Sequence, residues 1–565
     1  MPSNMTPIQD AAITRGMNTV DDPKTLKPGE CVRLLNAFPG NPPRPRTGCT
    51  GLLMTSTTTF SLVPPGIAFN TNGAIYIIAW VYDSATTKYK PLSILSSDGS
   101  FTDLGSAGGA EMSSNSPVFF DLLDIHSCIY GCISQVLAGW RAAANALGHK
   151  VFESNLIVRD LCISVAGSIK TSGGLTKADS GGSIKKGWYN YAFQYVRHTS
   201  ATYFEAGTMP AGMIAPYNIT SSEQPKRMDT FLPGACIGIE DIDNRKSIEA
   251  TDAANDTTVT IDITVTGSHA KAMAQGATHL RVSRSLVQTT QLLAEDATKF
   301  FLVDLPLLGS GGTQTFTDTV SSAALEGEAN QLVTGYSEAP PAAFMEYLKG
   351  RLYLMALDGR VYFSESVGGD GGVDLATAQA YPQAWSSLFK PTTYFLDCDY
   401  VDGQQATGMK RLGDDLFMFK ERKIFAIFGG DPTSTPISQV SNTVGCAFPY
   451  TLTKAEIKGM FGKCILFLGN DGPMVLEEGG RVRPFSEFKI KELWPEYSQE
   501  LYSELDLDWG WISHNCTAAF FKNTWWVMYQ TKTGTSKIFG YYFDPDLGTG
   551  REAPNGPLEF QFAEM

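Results

Sequence analysis

Apolar and polar residues alternate along most of this chain in short runs, each closed by turn residues, and that pattern predicts antiparallel strands. Residues 73–83, GAIYIIAWVYD, lead into residues 89–105, YKPLSILSSDGSFTDLG, where Asp98-Gly99 is a two-residue hairpin signal. The layout returns at residues 350–366, GRLYLMALDGRVYFSES, with Asp358-Gly359 at the turn. It returns again at residues 464–486, with Asp471-Gly472 and then Gly479-Gly480. Residues 414–430 and 517–545 complete the set. Hairpins recurring every 40–50 residues or so are the trace of propeller blades, and about 45 residues per blade predicts six to eight of them.

Two segments break the rhythm. Between residues 121 and 150, Ile133, Val136, Leu137, Trp140, Ala144 and Leu147 fall at three- and four-residue steps, which predicts a short helical excursion from a blade. Residues 185–207, 257–265, 279–285 and 313–320 are strand-like runs rich in Tyr, Val, Thr and Phe with turns of their own. They predict a separate β-sandwich. The expected organisation is an arm and propeller-closing strand at 1–50, first blades with the helical excursion at 51–180, an inserted sandwich at 181–335, and the remaining blades at 336–565.

The opening residues 16–48, GMNTVDDPKTLKPGECVRLLNAFPGNPPRPRTG, are neither a helix pattern nor an export signal. Pro28-Gly29 suits a type II turn, with Pro fixing φ and Gly accepting a positive φ. Residues 30–38 alternate as a strand. A ring of blades has to be closed, because an open edge leaves backbone groups unpaired, and an N-terminal strand pairing in the last blade closes it. Upstream, Asp21, Asp22 and Pro23 are expected in an extended arm, with Asp21 and Asp22 as candidate partner contacts. Residues 41–48 carry Arg44 and Arg46 among three prolines, and both a solvated loop and a partner contact fit them.

Composition narrows what such a protein does. A chain of 565 residues implies two or three structural units. With 43% hydrophobic and 18% charged residues, 55 Gly and 30 Pro, it favours strands and turns over charged helices. A formal charge of -14 argues against a surface that grips nucleic acid by neutralising phosphates. The ten cysteines lack the dense spacing of a disulfide scaffold. Cys128 and Cys132, with His126 nearby, have no second pair at zinc-ligand spacing and read as buried, inert sulfur. No apolar run approaches eighteen residues, so no membrane-spanning segment is expected.

No phosphate-binding loop, nucleophile elbow or zinc-protease helix occurs. The six histidines, at 126, 149, 198, 269, 279 and 514, show no pairing at ligand spacing. Asp414-Asp415, Glu477-Glu478 and Asp506/Asp508 sit beside turn signals and read as solvated carboxylates rather than a glycosidase dyad. GGDGGVD at 368–374 lacks the acidic series of a calcium loop. The expectation is a protein that is not an enzyme, with no catalytic residue, metal or cofactor assigned.

The opening stretch resembles that of the tail nozzle and packaged-DNA stabilisation (tail hub) proteins of short-tailed bacteriophages. Residues 350–366, 406–430 and 445–476 are similar to that family as well, so the resemblance covers about a third of the chain. The strands at 280–285 and 315–319 resemble the fibronectin-like inserts of some members. The resemblance implies a mainly β fold, a β-propeller of six to eight blades with an inserted fibronectin/immunoglobulin-like β-sandwich and an extended N-terminal arm. It implies a structural virion protein, assembled in the host cytoplasm into a homo-oligomeric, hexameric ring at the end of the tail. Partners implied are the portal-side adaptor rings, tail fibres or spikes, and double-stranded DNA retained in the lumen without tight binding. The alternative is a carbohydrate-active or receptor-binding propeller, which needs convergent carboxylates or exposed aromatics on one face.

Overall fold

The computed structural model describes residues 60–105, 111–113, 118–125, 128–136, 143–144, 149–161, 170–178, 187–196, 247–250, 260–266, 269–274, 277–288, 292–293, 297–304, 306–309, 311, 313–325, 339–367, 389–400, 402–429, 431–458, 461–470, 472–484, 516–521, 523–530, 536–543 and 557–561, with short strands at 16–17, 30–31, 37–38 and 44–45.

Six antiparallel sheets follow one another along the chain, each built around four strands in chain order. Their leading strands are Phe60–Thr71, Val118–Ile125, Phe344–Leu348, Ala406–Leu412, Thr453–Ile457 and Cys516–Phe521. They are numbered here sheets 1 to 6. The turn signals fall where expected: Gly99, Gly359 and Gly472 all take positive φ between paired strands, as only glycine does at no steric cost.

Consecutive sheets pack face to face. Phe69, Ile78 and Trp80 of sheet 1 meet Phe120, Leu122 and Phe152 of sheet 2. Tyr130 and Cys132 on the other face of sheet 2 meet Met345, Leu352 and Leu354 of sheet 3. The same holds between sheets 3 and 4, 4 and 5, and 5 and 6. Each inner sheet therefore buries both faces, which is why its strands read as nearly continuous apolar runs.

That double burial explains one correction. Residues 118–136 form a hairpin, Val118–Ile125 paired with Cys128–Val136, so Ile133, Val136 and Ala144 lie in paired strands where a helical excursion was expected, while Leu137, Trp140 and Leu147 lie outside the described residues. Ile129 faces sheet 1 while Tyr130 and Cys132 face sheet 3. With no polar face to set a period of two, the three-residue step from Ile133 to Val136 mimicked a helix.

The insertion between sheets 2 and 3 is a two-layer sandwich. One layer orders Lys170–Ala178, Thr260–Thr266 and Thr313–Asp318, and the other Ser247–Ala250, Gly187–Val196, His279–Arg284 and Phe301–Asp304. Tyr189, Tyr191, Leu280 and Val282 of the second layer share a core with Phe316 of the first. Lys170–Ala178 pairs inside this unit, so the insertion begins before the expected boundary at 181.

At the N-terminus, Gly16–Met17 pairs in parallel with Glu30–Cys31 and lies beside Pro557–Gln561, the last strand of sheet 6. All four strands of sheet 6 come from the C-terminal part of the chain. Gly16–Met17 therefore flanks the last sheet, and residues 32–36 of the expected closing strand lie outside the described residues. No helix among the described residues is long and apolar enough to cross a membrane.

Candidate functional site

A leading strand has a partner on one side only. Its other edge presents backbone N–H and C=O groups that need acceptors and donors. The leading strands of sheets 1 and 2, 2 and 3, 3 and 4, and 5 and 6 lie against one another, beside a cavity of about 160 Å³. Gly66, Asp121, Phe344 and Lys410, from sheets 1 to 4, line it. Tyr450, just before sheet 5, and Thr517 of sheet 6 complete the wall.

Side chains borrowed from other sheets satisfy these edges. Asp121 of sheet 2 accepts the Met345 N–H of sheet 3 on Oδ2 at 2.9 Å, and its Oδ1 accepts the Leu122 N–H at 2.9 Å. Glu346 of sheet 3 accepts the Arg411 N–H of sheet 4 at 3.0 Å and the Lys454 ammonium of sheet 5 at 2.9 Å. Its other oxygen accepts the Tyr347 N–H at 3.1 Å. Tyr450 reaches back to sheet 2, where its hydroxyl donates to the Phe120 carbonyl at 2.8 Å and accepts the Phe120 N–H at 3.0 Å. One phenol thus closes both free groups of a residue 330 positions away.

The electrostatics follow from burial. Burial pushes the Asp121 carboxyl above the usual carboxylate range, against the pull of Lys410 and two amides. Burial also pushes Glu346 up, but Lys454, Lys410 and the Arg411 amide together outweigh it and hold the carboxyl below its ordinary value. Lys454 is drawn below the ordinary lysine value, first by burial; repulsion from Lys410 and Arg411 adds to this and the attraction of Glu346 opposes it. Lys410 donates no hydrogen bond and makes no ion pair to a described residue.

The chemistry of this arrangement is architectural. Both carboxylates accept a main-chain N–H from the next sheet, which ties neighbouring sheets together at these edges. No group of three or more His, Cys, Asp or Glu that could hold a metal ion occurs among the described residues.

Residues singled out in sequence are scattered. Arg44 lies in the strand Arg44–Pro45, paired antiparallel with Ala37–Phe38. Asp21, Asp22 and Arg46 lie outside the described residues, as do Asp506, Asp508 and residues 368–374. Asp415 accepts the Gly429 N–H at 2.8 Å, and Glu477 pairs with Arg483 at 2.6 Å. Cys132 is buried, donates to the Ala342 carbonyl, and has its thiol pushed well up by burial. Cys128, Cys398, Cys446, Cys464 and Cys516 are likewise free and buried. The central groups, Asp121, Glu346, Lys410 and Tyr450, escaped sequence reasoning. Their signal was a charged residue inside an apolar leading strand, as in VFFDLLDI and FMEYL.

No family model matches the chain, and no curated protein matches it. Among solved structures it is similar to the intramolecular trans-sialidase of Ruminococcus gnavus, at 9% identity over 91% of this chain and 96% of that one, with a TM-score of 0.23. It is similar to the leech intramolecular trans-sialidase at 11% identity, over 92% of this chain and 70% of that one, with a TM-score of 0.23. A six-bladed fungal lectin from Aleuria aurantia matches at 9% identity, over 89% of this chain and 96% of that one, with a TM-score of 0.20. Similarity at this level carries no argument about substrate or activity, and the site stands on its own geometry.

Proposed function

We propose that the chain is a structural subunit of a phage tail nozzle, a six-bladed β-propeller carrying an inserted fibronectin/immunoglobulin-like sandwich and an N-terminal arm. In this reading six copies form a ring below the adaptor and portal rings, beside fibres or spikes, and hold packaged double-stranded DNA until ejection. Six consecutive four-stranded sheets with leading strands around one cavity support the blade count. The placement of Gly16–Met17 beside Pro557–Gln561 supports latching of the two chain ends.

The observation that carries the functional reading is the small size of the cavity between the leading strands. A cavity of about 160 Å³ lies below the roughly 300–1,000 Å³ of a small-molecule pocket and admits no duplex. DNA must then pass between subunits, along a lumen that only an oligomer encloses. A net charge of -14 suits such a wall, because a polyanion slides past it without sticking. The carbohydrate-active alternative needs free, convergent carboxylates, and Asp121 and Glu346 are engaged.

Electron microscopy of the purified full chain, alone and added to tails that lack it, tests the reading. A sixfold ring that restores DNA retention is the expected result. A stable monomer that never joins particles, or polysaccharide cleavage abolished by one Asp or Glu substitution, overturns it.

A further inference from the structure

The central cavity holds a cation where its neighbours hold acids. Asp121 of sheet 2 reaches the free edge of sheet 3, and Glu346 of sheet 3 reaches the free edge of sheet 4. In sheet 4, Lys410 shares the strand side of Leu412, which packs in the core between sheets 4 and 5. A carboxylate there would accept an amide of the next strand. An ammonium only donates, so Lys410 lines the cavity with no hydrogen bond or close ion pair to a described residue, and only its longer-range field reaches the Asp121 and Glu346 carboxylates.

Its surroundings carry surplus positive charge. Lys454 bonds Glu346 at 2.9 Å, and the Arg411 guanidinium stands 3.9 Å from the same carboxylate. One carboxylate therefore serves two cations before Lys410 is counted. Asp121, the acid that lines the cavity itself, already accepts two backbone N–H groups. Repulsion among Lys410, Arg411 and Lys454 contributes to the depressed lysine at 454.

We infer that the central cavity is a binding site for a small oxyanion, with the Lys410 ammonium as its principal donor. The ligand is a phosphate- or carboxylate-sized group, since the volume admits little more. Bound there, it would supply the acceptor that sheet 4 lacks and neutralise the lysine–arginine cluster. This site is independent of the nozzle assignment.

Lysine acetylation of the unmodified full chain, read residue by residue by mass spectrometry, tests it. One arm contains inorganic phosphate, one acetate, and the reference arm sodium chloride at equal ionic strength. With a Kd near 1 mM, about 10 mM ligand should slow Lys410 labelling roughly tenfold. Labelling of the half-exposed Lys88 should stay unchanged. Protection by phosphate alone, acetate alone or both supports the site and identifies the anion. Equal Lys410 labelling in all arms overturns it. As a second measurement, Lys410→Met should abolish a phosphate-dependent rise in Tm that Lys88→Met retains, and a rise that persists in Lys410→Met also overturns the inference.

Discussion

The contact between sheets 4 and 5 and the contact between the two layers of the insertion solve the same packing problem differently. Between the sheets, Phe417, Phe419 and Ile424 meet Ile465, Phe467 and Leu476 with no charged group in the cluster. Between the layers, Arg284 and Asp318 form an ion pair at 2.8 Å, both side chains 0% exposed. Tyr191 donates to the same carboxylate at 2.7 Å, and Arg284 also donates to the Val320 carbonyl. Burial pushes the Asp318 carboxyl up in spite of Arg284, so the pair is a poor source of net stability. The stacked sheets have their register set by neighbours on both faces and by bonds at the centre. Among the described residues the two layers of the insertion share one core, and the buried ion pair, held by Tyr191 and the Val320 carbonyl, makes one facing geometry acceptable and others costly. An apolar contact thus serves between sheets 4 and 5, where bonds from neighbouring sheets help fix alignment, and a buried polar network serves between the layers of the insertion.

The comparison breaks most directly at Asp318. Asp318→Ala leaves a buried guanidinium unpaired and should cost about 3–5 kcal/mol. Limited proteolysis should cut the insertion first while sheets 3 to 5 persist. Arg284→Met with Asp318→Leu should recover most of that loss in thermal unfolding but blur the amide spectrum of the insertion. A sharp, native-like spectrum in the double variant would refute the alignment role.

His149 offers the corresponding test on the stacked side. Its ring is buried, Nε2 donates to the Pro340 carbonyl at 2.8 Å, and burial lowers its pKa to about 4. The fold therefore favours the neutral ring, whereas the unfolded chain takes up a proton below about 6.5. Stability from this group is fully present above pH 6.5 and is lost as pH falls toward 4, by up to about 3 kcal/mol. Urea unfolding across that window should show the slope, and His149→Phe should flatten it.

Smaller effects sharpen the picture. Tyr450→Phe strips the Phe120 amide and carbonyl of their partner and should cost about 1–3 kcal/mol, with faster hydrogen exchange at Phe120. Unchanged exchange there would show that the phenol does not hold the edge. Lys88→Ala removes a half-exposed pair with Glu111 and should change stability by less than about 1 kcal/mol in thermal unfolding.

Much of the architecture was legible because turns are local. Asp98-Gly99, Asp358-Gly359 and Gly479-Gly480 each mark the end of a strand through backbone chemistry confined to two residues. The hairpin at 118–136 was misread because its strands are apolar on both faces, which erases the alternation a strand otherwise shows. The centre was illegible for another reason. Asp121, Glu346 and Tyr450 bond across separations of 224, 65 and 330 residues, and no local spacing encodes such partners.

The insertion also sets a timetable for synthesis. Sheet 2 is finished at Asp160, but the face carrying Tyr130 and Cys132 finds its cover only when Phe344–Leu348 and the strands after it emerge. At about 5–20 residues per second, the ribosome leaves that greasy surface bare for on the order of ten to forty seconds. A sandwich that folds unaided during this pause keeps the intervening chain from sticking to it.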